Sequence, residues 1–176
     1  SFDIVSEIEK LEKTTDYLVI DLEGTKDQIA TFALSRTDLC LVPIDGSALE
    51  ARQAASAIGL VQQTAAMARQ EIKSAIVFAR TNAAFQTTDE RDVRSSLSSN
   101  EIPIISERIV SRSAYRRIFR DALTLEEIEK ATILEAQDKS TAASQDKHIA
   151  PIKKARQNAA LFTKAVVDFI TEEQDD

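Results

Sequence analysis

The sequence predicts an α/β fold in which helices cover both faces of a mostly parallel β-sheet. Four short runs are continuously apolar, as in strands buried on both faces: YLVID (17–21), LCLVPI (39–44), SAIVFA (74–79) and IPII (102–105). Amphipathic helical patterns separate these runs, and this alternation is typical of a parallel sheet. At 176 residues and 43% hydrophobic composition, the chain is long enough for one substantial core.

The helices are predicted from apolar spacing and from capping signals. Residues 2–13 carry apolar side chains at helical spacing, and residues 114–122 form a second predicted helix. A Ser or Thr followed three residues later by Glu or Gln is the capping-box pattern that starts many helices. We assign this pattern to four predicted helix starts: Thr25 with Gln28, Ser47 with Glu50, Thr87 with Glu90, and Thr124 with Glu127.

The C-terminal part of the chain is predicted to contain a polar segment and a long helix. Residues 137–150 have little apolar periodicity, which predicts a polar loop or linker. Pro151 is tolerated at a first helical position, and residues 151–171 show a helical apolar stripe. We therefore predict a partial α/β domain at 1–136, a linker, and a C-terminal amphipathic helix that packs on the same domain.

Composition excludes several classes of site. The single cysteine, Cys40, excludes an intramolecular disulfide, and a single histidine, His148, leaves too few ligands for a zinc site or a Ser-His-Asp triad. No apolar stretch approaches the roughly 20 residues of a membrane span, and the first residues do not resemble a signal peptide. We expect a cytoplasmic protein without a membrane span.

The net charge of −7 is unevenly distributed. Residues 1–79 carry 7 basic and 12 acidic side chains, as do residues 121–176, whereas residues 80–120 carry 8 arginines, no lysine and 5 acids. The central segment therefore has a net charge of +3. Because the guanidinium group suits phosphate and carboxylate, this arginine cluster predicts a local anion site.

Asp21 closes the first apolar run, and Gly24 follows it three residues later. Ligands of parallel α/β sheets bind at the carboxyl ends of the strands, where Asp45, Arg80 and Ser106 are also expected. In phosphate-handling domains an aspartate at such a position holds the magnesium shell, and a glycine lets a backbone amide approach a phosphate. The alternative is that Asp21 caps the next helix.

Four segments in a particular order extend this interpretation: YLVID with Leu22-Glu23-Gly24-Thr25, the strand Asp38–Pro43 with a small-residue turn and a long helix, Ala79-Arg80-Thr81-Asn82, and the segment Ile105–Arg116. Together they resemble the ParA/MinD family of deviant-Walker ATPases, and most closely the ParA-like partition and conjugal-transfer accessory proteins of bacterial plasmids. The resemblance covers roughly residues 2–130.

The resemblance implies a three-layer sheet like that of P-loop NTPases and a site for ATP and Mg²⁺. It gives Asp21 a catalytic role and contact with magnesium through water, and it places Gly24 in the switch segment. It places four residues beside the nucleobase: Arg80, Asn82, Glu107 and Arg108. For Arg80, the alternative to a contact with the base is a solvated side chain or an ion pair with Asp89 or Glu107. For Glu107 and Arg108, the alternative is an exposed ion pair between the two.

The resemblance also implies partners. Relatives form dimers around ATP and bind DNA non-specifically, so the resemblance implies a homodimer. It also implies that DNA, or a partition or transfer protein, contacts basic residues of the central segment and the C-terminal helix. These are Arg112, Arg116, Arg120, Lys153, Lys154 and Arg156. A solvated or partner-facing stripe is the alternative for the arginines.

The chain departs from the family at its signature. Its three glycines are Gly24, Gly46 and Gly59, and no Gly-Lys-Ser/Thr occurs. We therefore expect a fragment that lacks the first, phosphate-loop strand of an ATPase and that by itself binds ATP weakly or not at all. A non-catalytic ParA-like interaction module is the alternative. In either case we expect the strands 17–21 and 39–43 to pair directly or to be bridged by another chain.

Overall fold

The computed structural model describes residues 3–22, 28–137 and 142–172, which form seven helices and three strands. In chain order these are α1 (Ile4–Leu11), α2 (Gln28–Leu34), β1 (Leu39–Ile44), α3 (Ala48–Ala68), β2 (Lys73–Thr81), α4 (Thr88–Ser99), β3 (Ile109–Val110), α5 (Ser113–Asp121), α6 (Leu125–Gln137) and α7 (Ala142–Thr171).

The three strands form one parallel sheet in the order β1-β2-β3. β1 runs beside β2 from the pair Leu39–Lys73 to the pair Ile44–Phe78. Parallel pairing requires a crossover between the two strands, and α3 supplies it. The predicted α/β class with a parallel sheet is confirmed.

Helices cover both faces of the sheet because alternate residues of β2 point in opposite directions. Ile76 and Phe78 join a core with residues of α3 and α4 on one face. Ala75 and Val77 pack against α7 on the other face, where Phe162 and Phe169 contribute aromatic rings. This double coverage explains why β2 is apolar throughout rather than alternating.

The third strand is less regular than predicted. Within 102–105, Ile104 forms an isolated parallel bridge with Ile76, and residues 105–108 are irregular before pairing resumes at β3. The pairing of β2 with β3 also has a register shift between Ala79 and Thr81. The predicted strand is therefore the first half of an interrupted strand. Glu107 and Arg108 follow it in the irregular segment that leads to β3.

The predicted strand 17–21 is wrong for the described residues. No residue of 17–22 pairs with a described strand, and Tyr17 and Val19 are 69% and 89% exposed. Leu18 and Ile20 are half-buried, and Leu22 packs beside Leu34 and Val61, so one side of this segment still faces the core. An apolar run becomes a strand only where a neighbour completes its backbone hydrogen bonds, and β1 does not do so. Direct pairing with β1 is therefore also wrong, whereas a bridging chain stays a prediction.

The C-terminal helix α7 begins at Ala142, so residues 142–150 are helical and not a loop. Residues 138–141 lie outside the described residues. Pro151 occupies a position inside the helix instead of its first turn. Strong helix formers such as Ala, Gln and Lys in this stretch outweigh its weak apolar periodicity, and burial of Ile149 and Ile152 anchors it.

Two polar side chains fasten α7 to the sheet. Lys73 Nζ donates to the carbonyls of Ile170 (3.0 Å) and Glu172 (2.6 Å), which satisfies acceptors at the end of the helix. Asn158 Oδ1 accepts hydrogen bonds from Val110 N (3.1 Å) and the Tyr115 hydroxyl (3.1 Å). Asn158 Nδ2 donates to the carbonyl of Arg108 (2.8 Å).

In the described part of the chain, no helix combines the length and the apolar character needed to cross a membrane.

Candidate functional site

The turn after β1 forms the first part of a polar site at the carboxyl edge of the sheet. Gly46 adopts φ +93°, and Ser47 Oγ accepts a hydrogen bond from Glu50 N (3.2 Å) at the start of α3. Asp45 Oδ1 accepts a hydrogen bond from Ser47 N (2.9 Å), and this bond is the main reason why the pKa of Asp45 lies below its usual value. Glu50 Oε2 in turn accepts a hydrogen bond from Asp45 N (2.5 Å).

Arg80 extends from the end of β2 toward this turn. Its backbone is left-handed at φ +58°, an uncommon conformation for a residue with a side chain. Its Nη2 lies 3.4 Å from Glu50 Oε1, and its side chain is 75% exposed. Arg80 therefore pairs with Glu50 and not with Asp89 or Glu107. The nearby Asn82 folds back so that its Oδ1 accepts a hydrogen bond from Ala84 N (2.8 Å).

Glu90 is the residue of this site that the sequence interpretation missed. Its side chain is 2% exposed, and both carboxylate oxygens lie 3.2 Å from Arg108 Nη1. Gln86 Nε2 donates to Oε1 as well (3.3 Å). A Cβ placed on Gly46 would lie 3.3 Å from Glu90 Cβ, so the stem of the Glu90 side chain packs against the turn after β1.

Glu90 was predicted only as the last residue of a capping box. In the complete capping box of α6, Glu127 Oε2 accepts a hydrogen bond from Thr124 N (2.8 Å). In α4 the Thr87 half of the box is present, since Thr87 Oγ1 accepts from Glu90 N (3.1 Å), but the Glu90 carboxylate binds Arg108. The missed signal is that Glu90 shares a helical stripe with buried Val93 and Leu97.

A second arginine stands beside this pair. The Arg94 guanidinium lies 4.4 Å from the centroid of the Phe78 ring, a cation–π contact. Burial is the main cause that lowers the pKa of Arg94, and the Arg108 charge lowers it further, whereas Glu90 opposes both. One buried carboxylate therefore stands between two arginines, and the cluster has a net positive charge.

Asp21 does not join this cluster in the described structure. Asp21 is exposed near the end of the segment 17–22, and no described residue donates a hydrogen bond to it. Gly24 and Thr25 lie outside the described residues, so neither the switch segment nor the alternative helix cap is tested. No group of three or more His, Cys, Asp or Glu suited to a metal occurs in the described ranges.

The basic residues predicted to meet DNA or a partner lie on two helices. Arg112 precedes α5 in an extended conformation, so the expected stripe of three arginines reduces to Arg116 and Arg120 within the helix. Arg120 Nε binds Asp121 Oδ1 (2.6 Å). Hydrogen bonds from Arg120, and then from Arg117, lower the pKa of Asp121 to about 2.

On α7, Lys153 and Lys154 are exposed, whereas Arg156 Nη1 binds Glu129 Oε2 of α6 (2.5 Å). Acids of the same chain therefore pair with Arg120 and Arg156 among the six predicted contact residues.

Comparison with known proteins adds one relationship. Over 117 residues the chain is 28% identical to Protein ParA of Rhizobium radiobacter. The chain is similar to ParA. The match covers 66% of this chain and 53% of the ParA protein, so the chain spans about half the length of this relative. No family model matches the chain. No solved structure matches it either. The similarity supports a ParA-like relationship, in agreement with the motif order in the sequence.

Proposed function

We propose that this chain is part of a ParA-like ATPase that binds ATP with Mg²⁺ in the cytoplasm and acts in plasmid partition or DNA transfer. The observation that carries the proposal is the similarity to ParA over 117 residues. The parallel sheet supports it, because Asp45, Arg80 and Arg108 all gather at the edge where such sheets bind ligands.

The residues at this edge suit one end of ATP better than the other. The guanidinium groups of Arg80 and Arg108, with the amide of Asn82, can donate hydrogen bonds to a base. The triphosphate needs a cradle of backbone amides and a lysine, and the 176 residues contain three glycines and no Gly-Lys-Ser/Thr. The phosphates therefore do not fit this chain alone, and hydrolysis requires a longer protein with a phosphate loop.

In that longer protein Asp21 would hold magnesium through water, and Gly24 would lie near the terminal phosphate. Magnesium would neutralise phosphate charge. The partners in this proposal are a second copy of the protein and either DNA or a partition or transfer protein. Exposed Arg116, Lys153 and Lys154 would supply contacts to phosphates or to an acidic partner surface.

A non-catalytic interaction module is the second candidate. The observation that favours it is that Glu90 and Glu50 already pair with Arg108 and Arg80 in the described fold. Arginines held by acids in this way would stabilise the carboxyl edge without a nucleotide.

Two steps test the ATPase proposal. The coding sequence before Ser1 is read for a lysine-containing glycine-rich loop, which the proposal requires within about 70 residues. Magnesium-dependent ATP turnover of the longer protein is then compared with that of Asp21→Ala and of Asp16→Ala, an exposed aspartate at the start of the same segment.

We expect Asp21→Ala to lose at least about a hundredfold in turnover, because the magnesium shell loses its carboxylate, and Asp16→Ala to retain turnover. Equal turnover of both variants and the parent protein would show that Asp21 is a helix cap. Absence of the loop would favour the interaction module.

A further inference from the structure

The ion pair between Glu90 and Arg108 is unusual in its geometry. Glu90 is almost fully buried, and a buried carboxylate without a partner is costly, so Arg108 compensates its charge. Arginine–carboxylate pairs frequently use two guanidinium nitrogens in a fork. Here a single nitrogen, Nη1, contacts both carboxylate oxygens at 3.2 Å.

This arrangement leaves the rest of the Arg108 fork available. Nε and Nη2 carry three N–H donors, and neither nitrogen has a protein partner among the described residues. The Arg108 side chain is 24% exposed, so these donors lie near solvent instead of deep in the core. A ligand at the carboxyl edge could therefore accept hydrogen bonds from the unused N–H groups of an arginine that is already oriented.

The position of the guanidinium is constrained from several directions. Glu90 belongs to the first turn of α4, Gln86 binds its carboxylate, and Gly46 of the turn after β1 packs against its stem. The Arg108 backbone is held separately, because its carbonyl accepts a hydrogen bond from Asn158. By contrast, Arg80 is 75% exposed and meets Glu50 at 3.4 Å, so it is held more loosely.

We propose that Glu90 is a positioning residue that holds Arg108 by Nη1, so that Nε and Nη2 donate hydrogen bonds to the acceptors of a nucleotide base at the carboxyl edge. This inference rests on the proposed function. Glu90 itself touches no ligand and acts through Arg108.

The test measures ATP and tripolyphosphate binding by the longer protein and by three variants. Arg108→Lys keeps a charge opposite Glu90, so it retains the fold, but it removes the spare donors. Glu90→Gln removes the charge that orients Arg108. Glu127→Gln is the matched control, because Glu127 closes a capping box and its side chain binds no arginine.

We expect Arg108→Lys and Glu90→Gln each to weaken ATP binding about tenfold and to leave tripolyphosphate binding unchanged, since the base contact alone is lost. Glu127→Gln should change neither. Unchanged ATP binding in Arg108→Lys, or equal loss of both ligands, would overturn the inference while leaving the proposed function intact. A longer protein that binds neither ligand would overturn both.

A second readout does not depend on a nucleotide. Nitrogen-15 relaxation of the arginine Nε signals in the 176-residue chain should show an ordered Arg108 and a mobile Arg80, and Glu90→Gln should make Arg108 as mobile as Arg80. An Arg108 that is already mobile in the parent chain would overturn the positioning role.

Discussion

At the scale of single residues, Asn158 joins three parts of the fold through one side chain. Its amide group hydrogen-bonds to Val110 N and to the Arg108 carbonyl. Its Oδ1 also lies 3.1 Å from the Tyr115 hydroxyl, which has a nearer acceptor in the Ala155 carbonyl at 2.9 Å. Asn158 therefore ties α7 to β3, to α5 and to the irregular segment that carries Arg108. No apolar residue can replace these bonds. The orientation of Arg108 therefore depends on α7 as well as on Glu90.

We predict that Asn158→Ala lowers the free energy of unfolding by about 2–4 kcal/mol, because the buried N–H of Val110 and the Arg108 carbonyl lose their partner. Urea unfolding followed by circular dichroism measures the change. The neighbouring exposed residue provides the control, and Gln157→Ala should stay within about 0.5 kcal/mol of the parent chain. A loss below about 1 kcal/mol in Asn158→Ala would contradict the role given to this side chain.

Local sequence patterns predicted the positions of Glu50, Glu90 and Glu127 at helix starts, but not what their carboxylates bind. Glu127 caps its helix as expected, because no arginine binds its side chain. Glu90 binds Arg108, which is 18 residues away, and Glu50 binds Arg80, which is 30 residues away. These partners come together only when the strands align, so a capping pattern that spans four residues contains no information about them.

At the scale of elements, the segment 17–22 differs most from its prediction as a strand. Its apolar composition predicted a strand, yet the segment pairs with no described strand. An apolar composition indicates that a segment can be buried, whereas strand formation also needs a neighbouring strand that completes the backbone hydrogen bonds. Helix α7 shows the converse, since residues 142–150 lack apolar periodicity but extend a helix that is anchored by its packed C-terminal part.

Hydrogen exchange tests this description of the segment. In the 176-residue chain we predict that the amides of residues 18–22 exchange within about tenfold of unprotected rates, whereas interior amides of β2 exchange at least about a hundredfold more slowly. In the longer protein of the proposed function, an added strand beside the segment should protect it. Protection equal to that of β2 in the short chain would show that another strand already pairs with it, for instance from a second copy.

At the scale of the whole molecule, the apolar pattern of the sequence predicted the fold better than the count of charges predicted the surface. The apolar runs predicted the parallel order of β1 and β2 and the helices on both faces, because burial on two faces requires continuous apolar sequence. The central excess of arginine predicted an anion site. The fold pairs four of these arginines, Arg80, Arg108, Arg117 and Arg120, with acids of the same chain. A count of charges therefore overstates the positive surface that is available to DNA.

Titration calorimetry with ATP and Mg²⁺ tests most directly whether nucleotide binding depends on a phosphate loop outside these 176 residues. Phosphate contacts supply most of the affinity in such sites, and base-side hydrogen bonds of about 1 kcal/mol each do not offset the cost of immobilising a ligand. We predict micromolar binding by the longer protein with its phosphate loop and no measurable binding by the 176-residue chain. Micromolar binding by the 176-residue chain would place the phosphate site elsewhere, and absence of binding by the longer protein would contradict the ATPase proposal.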